Sequence, residues 1–369
     1  MENFILNIRR VYNVNGLVFN VGENGSMIRF DNVFKKRYGY ASADNIKHCL
    51  TERFCEITGL ERPKRYYAKN IKDNSNESQG DVYTDFDLRN PFIRLNGVWN
   101  PNELSFNEQK YKKCNLKSIV NISDMLPLHV LFTSTDKQCG VNCGNASDTV
   151  YFKEGSGEKG KMFFSIEDLV KKGKYSEKEA EEKFRDTRPL NFYEKNETSS
   201  GIYYTDWHIN LTNLVYVDIS NVTLTDDEKN AYRADGYEFI IHKGKEYFIV
   251  PKEQAIKDFQ ALVEAIFTWD FLSNNSTHGS VKEPLRTTIS LNNTSMWQQL
   301  TMATLNEDEK TASLDFSSKE EDEANDVYSF NTKLLKKFYN KQNIEYSTMA
   351  DRNAIEKIME LSINIIEKL

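Results

Sequence analysis

The stretch GENGSMIRFDNVFKKRYGYASADNIKHCLTERFCEITG, Gly22 to Gly59, decides how the chain is read. It runs from a polar glycine loop through a short basic hairpin into an amphipathic helix. Ser42 stands at the N-cap position, with Asp44 in the first turn, where a carboxylate meets the positive end of the helix dipole. Ile46, Leu50, Phe54 and Ile57 recur at helical spacing and make one apolar stripe. Gly59 supplies the left-handed residue that ends such a helix. Lys47, His48 and Arg53 fall off the stripe, and Lys35, Lys36 and Arg37 sit upstream. From Arg29 to Lys72 there are eleven Lys/Arg against five Asp/Glu, a surplus of six inside a chain of net charge −7. Such a surplus at a loop–helix junction offers a phosphate backbone ammonium and guanidinium donors beside free backbone N–H groups. A solvated helix face with ordinary lysines is the competing reading. Arg62, Lys64 and Arg65, after the helix, form a second cluster open to the same two readings.

A length of 369 residues allows one elaborated domain or two smaller ones. Hydrophobic content of 39%, with 22 Phe and 19 Tyr, supports a real core and argues against global disorder. Overall acidity argues against a protein that coats nucleic acid indiscriminately, yet leaves room for a focused basic groove. The N-terminus, MENFILNIRRVYNV, lacks the apolar core of a signal peptide, and no run approaches a membrane span, so a cytoplasmic location without membrane contact is expected. Five cysteines, an odd number, do not describe a disulfide framework. Cys139 and Cys143, with Cys114 and His129 nearby in sequence, invite a zinc reading, but the rest of a site would have to come from scattered residues. Free cysteines are the simpler outcome, and no metal or cofactor is expected. The histidines show no catalytic spacing, and no phosphate-cradling glycine motif is present.

Along the chain, Phe4–Tyr12 reads as a strand with a loop over Asn13–Gly25. Ile71–Asp81 reads as a polar loop, and the block Asp81–Asn121 carries no clear type. Leu128–Thr133 reads as a short buried strand and Val150–Lys153 as another. Ser165–Asp168 and Ser176–Glu179 fit capping boxes of two short charged helices. Arg188–Ser200 reads as irregular, and IYYTDWHINL and LVYVDI within Ile202–Ile219 as two strands. Tyr237–Val250 reads as a hairpin turning at Gly244. Glu253–Leu272 is the clearest helix of the second half, and helical patterns return at Phe330–Lys341 and Arg352–Leu369. Leu305–Asp326 holds nine acids and two lysines, net −7, and is expected to be a flexible loop or a charged edge. Strands at both ends with helices between indicate an α+β plan.

The order of an N-terminal strand, the Asn-rich VYNVNG (Val11–Gly16), a polar turn and then RYGYASADNIKHCL resembles the CRISPR-associated backbone subunit of Cascade-type complexes. This is the Cas-seven family of the RAMP superfamily, in its DevR-like branch. Members lead into the helix with Y-x-Y-x-S-x-x-x-[IL]-[KR], matched here by Tyr38, Tyr40, Ser42, Ile46 and Lys47. DFDLRNPFIRLNGVW…NLKSIVNISDMLPLHVLF (Asp85–Phe132) and SSGIYYTDWHINLTNL (Ser199–Leu214) are similar to two further family stretches. The resemblance spans about two-thirds of the chain, and it rests on the order of the motifs. Departures exist: Lys47 is followed by His48 where the family often has two basic residues. The basic run before the proline–leucine step is reduced to Lys112, Lys113 and Lys117.

The resemblance implies a modified RRM-like (ferredoxin-like) palm from residues 1–60 and 200–369, a finger-type insertion over 61–184 and a thumb-like segment over 185–200. It implies a non-catalytic subunit that polymerises head to tail along CRISPR RNA beside other Cascade subunits and presents the guide to target DNA. RNA contacts are then expected from Arg29, Lys35, Lys36, Arg37, Ser42, Asn45, Lys47, His48, Arg53, Arg62, Lys64, Arg65, Arg188, Phe192 and Tyr193. RRM-like folds stack bases on sheet aromatics, which extends the expectation to Tyr203 and Tyr204, with Arg185 nearby. Type III relatives cut target RNA with a loop aspartate, which makes Asp31 the catalytic alternative. The plainer reading of Asp31 is a turn residue paired with Arg29 or Arg37. A monomeric RRM-like RNA-binding or regulatory protein outside CRISPR is the other rival.

Overall fold

In the computed structural model, residues 2–17, 21–22, 25–69, 80–106, 109–141, 152–154, 162–164, 170–171, 173, 175–179, 190–271, 281–292, 303–308, 310–316, 321–322, 327–342 and 344–369 are described. The chain is mixed α+β, built on a main antiparallel sheet. In chain order its parts are β1 (Ile5–Leu17), β2 (Ile28–Asp31), β3 (Lys36–Gly39), α1 (Ala43–Thr58), α2 (Pro91–Asn96), β4 (Val98–Asn100) and β5 (Cys114–Leu116). There follow β6 (Val120–Ile122), β7 (Thr133–Val141), β8 (Leu190–Asn210), α3 (Asp226–Ala234), α4 (Lys252–Thr268), β9 (Val281–Asn292), β10 (Val327–Asn331) and α5 (Ala350–Lys368).

The main sheet runs β6-β8-β1-β9-β10, with Glu321–Asp322 at the far edge, and β1 sits between β8 and β9. Side chains alternate across a strand, so β1 serves two layers. Leu6, Ile8, Tyr12 and Val14 enter the larger core, where α1, α4 and α5 pack. Val11 instead joins Ile202, Leu285, Phe316, Leu335 and Tyr339 in a smaller core on the opposite face. Ile8 lies opposite Trp207 on one side and Ile289 on the other, so the register keeps large apolar groups in one layer. Burying a Leu50 or Phe54 side chain contributes about 1.5–3 kcal/mol, and both belong to this layer.

Arg10 lies in the larger core because three acceptors meet it. Its Nη1 donates to the carbonyls of Ile266 and Phe267 (3.0 and 3.3 Å), and its Nη2 to Asp351 Oδ2 (2.7 Å). One guanidinium on β1 thus caps the end of α4 and holds the first turn of α5. Elsewhere in the fold, Arg94 of α2 pairs with the buried Asp258 of α4.

Several elements form where the sequence predicts them. The hairpin β2–β3, α1 and the hairpin Glu238–His242/Lys245–Ile249 are as read, the latter turning on Lys243 and Gly244, both at positive φ. Ser176 and Glu179 make their capping box, with Glu179 N donating to Ser176 Oγ at 3.3 Å and Ser176 N to Glu179 Oε2 at 3.0 Å. Ser165–Asp168 lies outside the described residues.

Other elements differ. β1 continues to Leu17, because Asn13 and Val14 still have partners on both neighbouring strands. Asp81 pairs with Ala68 in a ribbon, Arg65–Lys69 with Gly80–Thr84, rather than ending a loop. Val130–Phe132 is a 3-10 turn, capped by His129 Nδ1 accepting from Leu131 N at 3.2 Å, and the strand begins only at Thr133. Of the strand expected over Val150–Lys153, Phe152 and Lys153 lie in the strand Phe152–Glu154, and 150–151 lie outside the described residues. Leu190–Ser200 is strand, since β7 pairs along it. Leu211–Val215 is a helical turn capped by Asn210, which divides the two strands read there. α4 stops at Thr268, where Trp269 leaves helical geometry. Phe330 and Asn331 belong to β10, which leaves Leu335–Lys337 as a single 3-10 turn. Leu305–Asp326 contains a small hairpin (Ala303–Leu305 with Ala312–Leu314) and the buried Phe316, so it is partly built into the fold. Among the described residues no helix is long and apolar enough to cross a membrane.

Candidate nucleic-acid interface

Helix α1 forms between the two signals its sequence carries. Ser42 Oγ accepts from Asn45 N at 3.3 Å, and Gly59 takes the left-handed conformation with φ 69°. Ile46, Leu50 and Phe54 are buried, with Ile57 packed at the edge of the core. The helix N-terminus does not offer the free donors that the sequence suggests. Asp124 Oδ1 accepts from Ala43 N at 2.9 Å, and its Oδ2 pairs with Arg29 at 2.9 Å. A protein carboxylate therefore already stands where a phosphate was expected.

The cationic groups gather on the flank of α1. Lys47, His48, Arg62 and Arg65 line one cleft of about 330 Å³, closed by Asp44, Asn96 and Gly97 among others. Lys47 Nζ donates to Asn96 O at 3.2 Å and to Ser118 Oγ at 2.8 Å. Burial pushes the Lys47 ammonium below its ordinary range, and Asp44 opposes that shift. Arg62 Nη1 lies 3.1 Å from His48 Nδ1, its Nη2 donates to His48 O at 2.9 Å, and it pairs with Glu52 at 2.5 Å. A guanidinium only donates, so His48 Nδ1 accepts and its proton sits on Nε2. Arg65 and Lys64 are exposed, with no side-chain partner among the described residues.

The remaining candidates divide by whether their charge is already used. Arg29 stacks 3.8 Å above the Tyr40 ring while paired with Asp124, and Arg37 pairs with Glu197 at 2.8 Å. Arg53 is tied to Thr268 Oγ1 (2.9 Å) and Glu56 (2.8 Å). Lys35, at positive φ, and Lys36 carry no side-chain partner among the described residues. Ser42 is spent on its cap, and Asn45 lies over Cys49, its Oδ1 4.0 Å from the sulfur. Phe192 and Tyr193 lie on β8, Phe192 facing Cys139 of β7 in the register. Arg185 and Arg188 lie outside the described residues. Tyr203 is fully buried, and Tyr204 is half-buried with Arg9 stacked 4.7 Å from its ring centre. Tyr203 therefore belongs to the core and offers no open stacking face.

Asp31 is not paired with Arg29 or Arg37. Its Oδ1 accepts from Val33 N (2.9 Å) and Phe34 N (2.7 Å), which closes the β2–β3 turn. Of the cysteine group, Cys139 lies on β7, and Cys143 is outside the described residues. Cys114 is buried, its thiol pushed up by burial, and His129 Nδ1 is occupied as a turn cap.

Sequence reading missed Asn96, Gly97 and Ser118, which shape the cleft. Gly97 ends α2 at φ 72°, and a Cβ there would meet Leu116 O at 2.5 Å and Ser118 N at 2.6 Å. The signal was present in NPFIRLNG: Asn90 caps, Pro91 opens and Gly97 closes a short helix.

No model of a protein family matches the chain, and no curated protein matches it. Among the solved chains similar to it in structure are the following two. One is described as a CRISPR RNA-guided surveillance complex, pre-nicking, with a TM-score of 0.47, 7% identity, and coverage of 97% of this chain and 100% of that one. The other is described as a CRISPR RNA-guided surveillance complex, with a TM-score of 0.46, 8% identity, and coverage of 97% of this chain and 99% of that one.

Proposed function

We propose that the chain is a non-catalytic guide-RNA-binding subunit of a CRISPR surveillance complex, holding single-stranded RNA along the flank of α1. The observation that carries this reading is the cleft in which Lys47, His48, Arg62 and Arg65 meet beside α1. Its frame also supports the reading. Taken in chain order, with other elements between them, β1, α1, β6, β8, α4 and β9 run β-α-β-β-α-β, with β9 beside β1, β1 beside β8 and β8 beside β6. This order supports the reading, because the split βαβ arrangement is the one expected of an RRM-like, ferredoxin-like palm. Lys35, exposed, and Lys36, half-buried, extend the cationic surface on the hairpin towards the start of the helix. In this reading copies of the chain stack head to tail on the guide with other subunits of the complex, and base pairing with target DNA supplies specificity.

Binding of a guide-length RNA to the full chain, followed by anisotropy across a salt series, tests the reading. Removing one cation that neutralises a phosphate lowers the salt slope by roughly 0.7–0.9. Lys36→Ala/Lys47→Ala/Arg65→Ala is expected to weaken binding and flatten the slope by about two units. An unchanged slope removes this surface from RNA binding.

The chain is also proposed to hold RNA without cutting it. The Asp31 carboxylate is engaged by two backbone donors of its own turn. Complementary labelled RNA incubated with the RNA-loaded protein and Mg²⁺ or Mn²⁺ is therefore expected to stay intact, with Asp31→Asn indistinguishable. Regular cuts in wild type that vanish in Asp31→Asn would promote the nuclease rival.

A further inference from the structure

We propose a second subsite, in the cleft between the β4–β5 ribbon and residues 216–221, that takes one nucleotide of a single-stranded nucleic acid, stacked on Trp99 and held by asparagine amides. It deepens the reading above and rests on it. The cleft has a volume of about 530 Å³, within the range of small-molecule sites. Its walls are unusually rich in amides, with Asn3, Asn115, Asn210, Asn213 and Asn221 all contributing.

The amides have different duties. Asn210 is committed to structure: its Nδ2 donates to Asn3 Oδ1 at 2.9 Å and its Oδ1 accepts from Asn213 N at 3.0 Å. The side-chain amides of Asn115, Asn213 and Asn221 make no hydrogen bond among the described residues. Each presents one carbonyl acceptor beside one NH₂ donor. That adjacent pair is the group that reads a base edge through two bonds.

A stacking face stands beside Asn115, at the rim of the cleft. Trp99 is 64% exposed, although its ribbon neighbours Val98, Asn100, Cys114 and Leu116 are buried. It lies directly opposite Asn115 in the antiparallel register, so the two side chains share the outer face of the ribbon. Cross-strand partners hold their Cβ atoms about 5 Å apart. The ribbon leaves the indole uncovered, an open face on which a base can stack.

Charge completes the site. Lys117, on the same outer face two residues after Asn115, is exposed and has no partner among the described residues. Lys245 at the far wall is pinned by Asp218 at 2.8 Å. Lys117 is thus the cation left for a phosphate. The two clefts also share a wall. Leu116, Lys117 and Ile119 line this one, while Gly97 of the first cleft packs against Leu116 and Ser118, and Lys47 bonds Ser118 Oγ. A strand leaving the Lys47 cleft crosses Lys117 to reach Trp99.

The test uses the full chain with 12-nucleotide mixed-sequence RNA and DNA oligonucleotides, followed by anisotropy and by tryptophan emission. Trp99→Ala is expected to weaken binding about 5–150-fold, as loss of one base–aromatic stack does, with Trp99→Phe close to wild type. Asn213→Ala is expected to weaken it less. Emission of the unmodified protein should be quenched on binding, by more than in Trp99→Phe. RNA-only effects assign the guide as occupant, and equal effects with DNA assign the strand it meets; both support the subsite. If Lys47→Ala/Arg65→Ala loses binding while Trp99→Ala, Asn213→Ala and the quenching difference show nothing, the subsite is overturned and the reading of the first cleft stands. If neither oligonucleotide binds the unmodified protein, both fall.

Discussion

Lys282, at the start of β9, shows what burial does to a single charge. Its Nζ donates to Trp269 O at 2.6 Å and sits 3.3 Å from the centre of the Trp269 ring, with Asp270 at 3.8 Å. Only 9% of the side chain is exposed. Burial pushes the ammonium down to about 7, the nearby Arg10 pushes the same way, and Asp270 opposes both. In the unfolded chain the amine titrates near 10.4. Between these values the unfolded state binds more protons, so stability rises with pH across that window. Below about pH 7 the amine is charged in both states, and the full penalty of burying an ammonium is present. Lys282→Met lacks this dependence. The stability difference between wild type and Lys282→Met should therefore shift towards wild type from pH 7 to 10, by up to about 1.4 kcal/mol per pH unit. Urea unfolding of both proteins at four pH values checks this, and parallel pH profiles would reject the assignment.

At the scale of elements, legibility followed sequence distance. α1 was readable because its cap, stripe and stop lie within 18 residues of one another, Ser42 to Gly59, and all three function as the sequence implies. α3 carries an equally local signal, the Thr225–Glu228 capping box, but no apolar stripe to go with it; Tyr232 is its buried residue. β8 was half read. Its second half alternates clearly, but Leu190–Ser200 is polar and is ordered by pairing with β7, a partner about 60 residues earlier. The candidate site divides in the same way. The cations of the α1 flank were legible as charges. Their availability was not, because Glu52, Asp124 and Glu197, which occupy Arg62, Arg29 and Arg37, are assigned only by the fold. Asn96 and Ser118 enter the cleft only once α2 and residues 116–118 pack beside Lys47. The amide cleft had no sequence signal, since its asparagines come from five separate places in a chain generally rich in that residue.

Across the whole molecule, α2 and α4 are joined by a charge pair rather than by apolar packing alone. Arg94 of α2 donates through Nη1 to the carbonyls of Leu88 and Arg89 and through Nη2 to Asp258 of α4, while Gln254 Nε2 donates to Asp258 Oδ1 at 2.7 Å. Both side chains of the ion pair are less than a tenth exposed. Desolvation raises the Asp258 carboxyl above its ordinary value, and Arg94 opposes the shift. Each partner is therefore tolerable because of the other, and the two single losses should be severe. Arg94→Met leaves a buried carboxylate without its cation, a change that costs about 3–5 kcal/mol. The carboxyl of that variant escapes the penalty by taking a proton, so its folded-state pKa lies above the unfolded one and its stability should recover as the pH falls through that raised value. Arg94→Met/Asp258→Leu removes both charges and should regain most of the loss at neutral pH, since replacing a buried pair with apolar groups is often close to neutral. Denaturant unfolding of the two single variants and the double variant at pH 5 and pH 7.5 measures the coupling. A double variant as unstable as the sum of the singles would mean that Arg94 acts through the carbonyls of Leu88 and Arg89 alone, and that α2 is not locked to α4 by charge.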